Sequence, residues 1–488
     1  MTVDKALGSS AQAIQARKRQ GTKLYFASSV WAQICALVRY VLLARLLGPE
    51  QLGLAAILVL TASFFDLISD IGGDRFLIQD PDGDEERVQC LVQLALVFRG
   101  VSTAVALAVF ALPVAHYYDA PVLGPAIIIF GLSPLIMGFQ HLDIRRKQRH
   151  NDFRLEATCS LVSEAVGIVA TVTAGLLTRD FTAVLWGTTT RSAASVLCSH
   201  VVAERPYRIG TSKGDASRLF RFSFPLMANG LILFLGGQGD RVLVGHEIGF
   251  AGLGQYSAVI LLIYYPCAML QRYVHAIYLP MIAASRSSKQ ELVRIGNSLG
   301  SQTLLLSLCM VIGFAIVAPK VVTVLYGQRF TLSVFIVAMI GGLQACRYLA
   351  VWPSTIALAM GRSTIVLASN FVRLTAWPAA WVGFLQIGGL EGIVTGFILG
   401  ELTAFAASMI ILNRAHQRPL ATGFSQFTRV VVAMGITLGW ARMIDHPSPT
   451  MIGTLCIASS VVCWSLIRSE RHEISNAFSA TRRILFKN

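Results

Sequence analysis

The chain has 488 residues, of which 54% are hydrophobic and 14% charged, and its mean hydropathy is +0.62. A soluble chain carries closer to about 25% charged residues and a disordered one is polar; the 41 Gly have no period and there are nine Cys, so a collagen-like or disulfide-stapled chain is excluded as well. What remains is a polytopic membrane protein, in which the formal net charge of +15 reads as loops facing anionic lipid, not as a nucleic-acid surface.

Residues 1–23 are polar and basic and include Arg17-Lys18-Arg19. The first apolar run is too long for the core of a signal peptide, so it is expected to stay as the first membrane helix. Stretches long enough to cross about 30 Å of hydrocarbon as a helix then recur along the chain. They lie at 24–47, 52–72, 89–113, 122–142, 157–177, 181–203, 222–245, 254–280, 297–318, 331–353, 364–385, 392–412, 428–444 and 450–467, which makes fourteen spans. Most Lys and Arg fall in the loops on the side of the two tails: Arg145-Arg146-Lys147 with Arg149, then Arg205 to Arg221, then Arg482-Arg483. The opposite loops hold only Arg179, Lys320 and Arg329. With an even number of spans, this bias predicts that both termini are cytoplasmic.

All loops are short, and there is no P-loop, no HExxH and no nucleophile motif. The cysteines form no C-x-x-C pair and mostly lie in apolar runs, where they read as small hydrophobes. No catalytic residue, metal site or cofactor is expected. The helices themselves must do the work, which points to transport.

A shift of 201 residues superposes two stretches of the chain. Phe26 through Arg39, then Leu47-Gly48-Pro49 through Gly53-Leu54, falls on Met227 through Asp240, then Ile248-Gly249-Phe250 through Gly254-Gln255. Gly48 meets Gly249, Gly53 meets Gly254 and Arg39 meets Asp240. Six spans separate the copies, so both enter the membrane in the same sense: a parallel repeat, with substrate expected between the halves.

The helix end Ala44-Arg45-Leu46-Leu47-Gly48-Pro49-Glu50, the run Ile71-Gly72-Gly73 with Arg75-Phe76-Leu77-Ile78-Gln79, the basic loop Arg145 to Arg149 with Asp152-Phe153-Arg154, and Asp240-Arg241-Val242-Leu243-Val244-Gly245 with Gly252-Leu253-Gly254-Gln255-Tyr256-Ser257 together resemble the flippases of lipid-linked oligosaccharides. These form the polysaccharide-transport branch of the multidrug/oligosaccharidyl-lipid/polysaccharide exporter superfamily. The resemblance implies an all-α integral membrane fold of about fourteen transmembrane helices, with two six-helix bundles in a V around a central cleft and two peripheral helices. On this chain the bundles would be residues 1–203, with the cytoplasmic tail, and 222–412, joined by a cytoplasmic linker at 204–221; residues 413–488 would hold the extra helices. It implies a carrier in the inner membrane that moves an undecaprenyl-pyrophosphate-linked oligosaccharide to the periplasmic leaflet for a polymerase and export machinery. Its partners would be that substrate, membrane lipids and the polymerase and export components, with no nucleic acid.

A charge at mid-bilayer costs on the order of 3 kcal/mol, so the charged residues inside spans are the candidates for function. An arginine-lined cleft would replace the solvation that the phosphates of such a cargo lose, because guanidinium stays charged and binds phosphate bidentately. The substrate-binding candidates are Arg39 and Arg191 in the first half and Arg347 and Arg373 in the second. The ion-coupling candidates, for a proton or sodium gradient, are Asp66, Asp70, Glu164 and Glu401. Asp66 and Asp70 are four apart and share a helix face, either as a relay or paired with Arg75 or Arg99 at the cytoplasmic mouth; Arg373 and Glu401 are positioned to pair structurally. Trp377 and Trp381 read as interfacial anchors or packing groups. His275 reads as a hydrogen-bonded core residue, and Pro225, Pro266, Pro280, Pro353 and Pro378 as sites of kinks. The rival readings are a multidrug cation antiporter of the same superfamily, whose cleft would be acidic or neutral, a peptidoglycan-precursor flippase, and a membrane glycan polymerase or acyltransferase.

The charge bias makes a direct prediction about topology. Alkaline phosphatase fused at Arg179 should be active and at Arg145–Arg149 inactive, while a fluorescent protein fused to the C-terminus should fluoresce in the cytoplasm; the opposite pattern would overturn the orientation.

Overall fold

The computed structural model describes residues 2–150, 152–285, 288–416 and 421–445, and every regular element among them is a helix. Nine of these helices, counted through their kinks, are long and apolar enough to cross a membrane, and Leu123–Met137 is a shorter apolar pair. The expected spans up to the thirteenth each fall on a helix; the fourteenth, at 450–467, lies outside the described residues, as do Arg482 and Arg483. By Cα packing the chain forms two compact units, one of Met1–Phe234 with Gly249–Gly254, the other of Leu235–Ile248 with the described residues from Gln255 onward.

In the first unit, α1 (Thr2–Ile68) holds two of the expected spans and breaks at Gly48, where φ is 81° and ψ 175°. Glycine alone takes that conformation without cost, and Pro49 has no N–H to lose at the start of the next helix. Then come α2 (Gly73–Gln79), α3 (Glu86–Tyr117), α4 (Leu123–Phe130), α5 (Leu132–Met137), α6 (Asp143–Arg149), α7 (Arg154–Thr178) and α8 (Thr182–Val201). The long α9 (Lys213–Glu247) begins within the segment expected as a linker, and α10 (Gly249–Ala284) follows it. In the second unit stand α11 (Lys289–Tyr326), α12 (Val334–Leu349), α13 (Val351–Ala359), α14 (Ser363–Arg373), α15 (Ala376–Ile387), α16 (Gly389–His416) and α17 (Ala421–Asp445). A buried cluster around Tyr278, Leu299, Tyr348, Trp352 and Phe405 forms the core there, with the indole N–H of Trp352 donating to the Gly296 carbonyl at 2.8 Å.

Three crossings come in two pieces, α4–α5, α12–α13 and α14–α15, and one rule accounts for all of them. The second piece has proline as its third residue: Pro134, Pro353 and Pro378. A proline ring clashes with the carbonyl four residues earlier, which puts the break at Phe130, Leu349 and Leu374, the last residues of the first pieces or the cap beyond. Pro353 and Pro378 therefore mark breaks as expected. At Pro225, Pro266 and Pro280 the helix does not break: α9 and α10 continue through them.

The basic loop also differs from expectation. Its arginines are engaged inside the first unit and do not simply face lipid. Arg145 pairs with Asp74 at 2.9 Å and Glu156 at 2.6 Å, and Arg149 donates to the carbonyls of Ile78 and Pro81 at 3.0 Å each. Asp143 is fully buried between the Arg146 guanidinium (2.5 Å) and the Glu204 amide N–H (2.8 Å). Burial pushes the Asp143 carboxyl up, but these two donors outweigh it and hold the group below the usual carboxylate range.

The repeat is visible in the backbone. Gly249, the counterpart of Gly48, also has a positive φ, 83°. Within the first unit a Cβ added to Gly53 would lie 1.9 Å from the Phe250 carbonyl oxygen, and one added to Gly254 would lie 1.9 Å from that of Pro49. The two copies of the turn thus meet backbone to backbone at glycines. Gly53→Ala should destabilise by about 1–3 kcal/mol through overpacking. Gly48→Ala, whose added Cβ meets open space, should lose stability only through backbone strain. Thermal unfolding of the detergent-purified variants checks both, and wild-type stability for Gly53→Ala would contradict the close approach.

Candidate functional site

Six of the eight charged candidates singled out from the sequence are gathered into ion-paired clusters, one in each unit. In the first unit α1 carries Arg39, α7 carries Glu164 and α8 carries Arg191. The Glu164 carboxylate lies between the two guanidiniums, 3.5 Å from Arg39 Nη1 and 3.2 Å from Arg191 Nη1. Glycine allows this: a Cβ on Gly167 would stand 2.9 Å from the Arg191 Cβ, and one on Gly187 would stand 1.8 Å from the Thr171 hydroxyl, so α7 and α8 approach closely enough for Arg191 to reach over α7.

In the second unit Glu401 on α16 is held in the same way. Its carboxylate accepts from Arg347 Nε at 3.2 Å and Arg373 Nε at 2.9 Å. Arg347 reaches on to Asp240 at 3.3 Å, and Asp240 also accepts from the Tyr256 hydroxyl at 2.7 Å. Asp240, Tyr256 and Glu401 are buried almost completely. Glycines again bring the backbones together. Gly392, Gly396 and Gly400, spaced by four on α16, lie against Gly383, Ala380 and Ala376 of α15, and Gly236 and Gly239 on α9 lie against the side chains of Arg373 and Trp377. The Trp377 indole donates to the Leu235 carbonyl at 3.0 Å, so this tryptophan is a packing group.

Helix by helix, the two clusters carry opposite signs. The first helix of the repeat holds Arg39 in one copy and Asp240 in the other. The fifth span holds Glu164 and the eleventh Arg373; the sixth holds Arg191 and the twelfth Glu401. The first cluster sums to one excess positive charge, and the second, with Arg347 added, is balanced.

Asp66 and Asp70 are not paired with each other. Asp66 takes the Arg99 guanidinium, while Asp70 accepts from the Gly72 amide at 3.0 Å and faces Arg75 at 3.7 Å. These are the arginine pairings weighed above against a relay. His275 meets the Thr355 hydroxyl at 3.4 Å, as a core histidine does. Sequence reasoning passed over Tyr256 and did not pair Asp240. The signal was there: Asp240 aligns with Arg39, and Tyr256 lies in a motif that carried the resemblance. Among the described residues no group of three or more His, Cys, Asp or Glu is arranged to hold a metal ion.

The fold is one that solved membrane transporters share. It is similar to the solved inward-facing structure of a multidrug resistance MATE family transporter of the MOP superfamily (TM-score 0.63, 12% identity, covering 80% of this chain and 96% of that one). It is equally similar to lipid II flippase MurJ in an inward closed conformation (TM-score 0.63, 11% identity, covering 91% of this chain and 99% of that one). The polysaccharide biosynthesis protein family model matches residues 42–335, and the chain belongs to that family. Among curated relatives, it is 23% identical to the succinoglycan biosynthesis transport protein ExoT of Rhizobium meliloti (strain 1021), over 80% of this chain and 79% of that protein. It is 21% identical to the teichuronic acid biosynthesis protein TuaB of Bacillus subtilis (strain 168), over 91% and 93%.

Glu401→Ala would leave Arg373 without its carboxylate and Arg347 with only Asp240. Removing one partner of a buried pair costs about 3–5 kcal/mol, so a large drop in melting temperature is expected. The double variant Glu401→Met with Arg373→Met should recover part of it, since apolar groups replace both partners and Arg347 keeps Asp240. Equal losses in both variants would contradict this account.

Proposed function

We propose that the protein moves a polyprenyl-diphosphate-linked oligosaccharide across the inner membrane by alternating access, with both termini in the cytoplasm and no covalent chemistry on the cargo. The observation that carries this reading is the pair of Arg–Glu–Arg clusters, Arg39–Glu164–Arg191 and Arg347–Glu401–Arg373. Each keeps two guanidiniums charged within a helical bundle, with a carboxylate standing where an anionic group could exchange for it. A diphosphate is such a group: it accepts paired N–H donors as a carboxylate does. Membership of the polysaccharide biosynthesis protein family and the names of the relatives support a saccharide cargo. The lipid tail can stay in hydrocarbon throughout, so only the head needs a polar path.

A proton or sodium gradient would reset the cycle, with Glu164 and Glu401 as the coupling groups when the cargo releases them from their arginines. Asp66 and Asp70 then serve the mouth of the first bundle. The products would pass to a polymerase and export components.

Leaflet-resolved translocation in proteoliposomes tests the reading. Wild type should move fluorescent polyprenyl-diphosphate oligosaccharide faster with an imposed ion gradient. Arg191→Ala and Arg373→Ala should each slow it by roughly tenfold or more, as loss of a charge-assisted hydrogen bond implies; the Lys variants should fall between, because they keep charge and lose the fork. Efflux of organic cations without lipid translocation would overturn the proposal in favour of a multidrug antiporter.

A further inference from the structure

The first unit holds a partly open cavity of about 380 Å³, lined by α1, α2, α3, α5, α6, α7 and α8, which runs from Glu164 and Arg191 to Arg145. Ligand pockets span about 300–1,000 Å³. Its walls carry an unusual mixture. Four arginines and five carboxylates line it, and they are already matched to each other: Arg99 is held by Asp66, Arg145 by Asp74 and Glu156, and Arg191 by Glu164. Between them stand the hydroxyls of Ser160, Ser195 and Thr103 and the amide of Gln140.

Three ligand classes can be weighed against these walls. A dehydrated metal ion needs carboxylate oxygens that converge on one point, and among the described residues none are so arranged. A polyanion would meet one more carboxylate than guanidinium. A polyhydroxylated ring fits. Each paired carboxylate keeps spare lone pairs and each guanidinium spare N–H groups, so the walls offer both donors and acceptors, with their charges paired but for one carboxylate. A sugar hydroxyl, at once donor and acceptor, uses both.

We propose that this cavity is a glycan subsite, taking the uncharged sugar residues nearest the diphosphate while the diphosphate itself lies at Arg39 and Arg191. The assignment rests on the reading of the cargo as a diphosphate lipid and adds which part of the head the first unit recognises. Arg191 and Glu164 belong to the cavity wall and to the ion-paired cluster alike, so the two subsites are continuous, as a sugar joined to a diphosphate requires.

The test compares two probes on the full-length protein in nanodiscs: polyprenyl diphosphate and the same lipid bearing one hexose. Wild type should bind the hexose-bearing lipid at least tenfold more tightly. Ser160→Leu, which fills the cavity with apolar volume, should bring that affinity down to the level of the bare lipid and leave bare-lipid binding unchanged. Gln140→Met, nearly isosteric and without the amide, should lose part of the increment, and it serves should the Ser160 variant fail to fold. Equal affinity of wild type for the two lipids would overturn the glycan subsite and leave the flippase reading standing. Equal weakening of both lipids by Ser160→Leu or Gln140→Met would also overturn it. Binding of neither lipid would overturn both readings.

Discussion

Charge taken out of water must be compensated where it stands, and within these bundles the compensation is a carboxylate shared by two guanidiniums. Glu164 and Glu401 each bridge arginines from different helices. The helices of each unit are therefore tied by more than apolar packing, which is a weak driving force between helices surrounded by lipid. Buried ion pairs of this kind contribute little net stability compared with apolar groups of the same shape. On the function proposed above, their value lies in keeping guanidiniums ionised inside the bundle.

The repeat shows how such a device is kept while its sequence diverges. The glycine turns at Gly48 and Gly249 share a positive φ, because no other residue takes that backbone cheaply. The ionisable positions obey a different rule. Compensation requires opposite charges within reach, whichever helix carries which sign. The two halves have settled on opposite assignments, Arg39 against Asp240, Glu164 against Arg373, and Arg191 against Glu401. Matching like residue with like across the repeat therefore misses the correspondence, which appears only when partners are compared.

Glycine decides where the partners meet. Gly167 opens the path for Arg191, and Gly236 does the same for Arg373. The α15–α16 contact, with Gly392, Gly396 and Gly400 on one side, brings Glu401 to the level of Arg373. Without these close approaches the side chains would need a longer reach and a wider, wetter gap between helices. The polar cavity of the first unit depends on the same economy, since the glycine-lined walls leave room that larger residues would fill.

The sequence by itself determined the membrane class, the helices at the expected spans up to the thirteenth, the repeated glycine turn, and which charged residues stand within those helices. Each of these is written in local apolar length, in charge bias or in glycine spacing, all of which act along the chain. It also pointed to breaks at Pro353 and Pro378, because proline acts on its own helix. The tertiary structure alone decided the rest. Arginines expected to wait open for phosphate are held by carboxylates expected to carry ions, so two lists of candidates are one network. Asp66 and Asp70 share a helix face, and of the two arrangements the sequence left open the structure takes the pairing with Arg99 and Arg75. The basic loop is bound to Asp74, Asp143 and Glu156. Apart from Asp143, which shares α6 with Arg146, the partner lies on another helix or loop, often far along the chain, and the attraction depends on distance in space; hydropathy and spacing alone do not settle which partner is met.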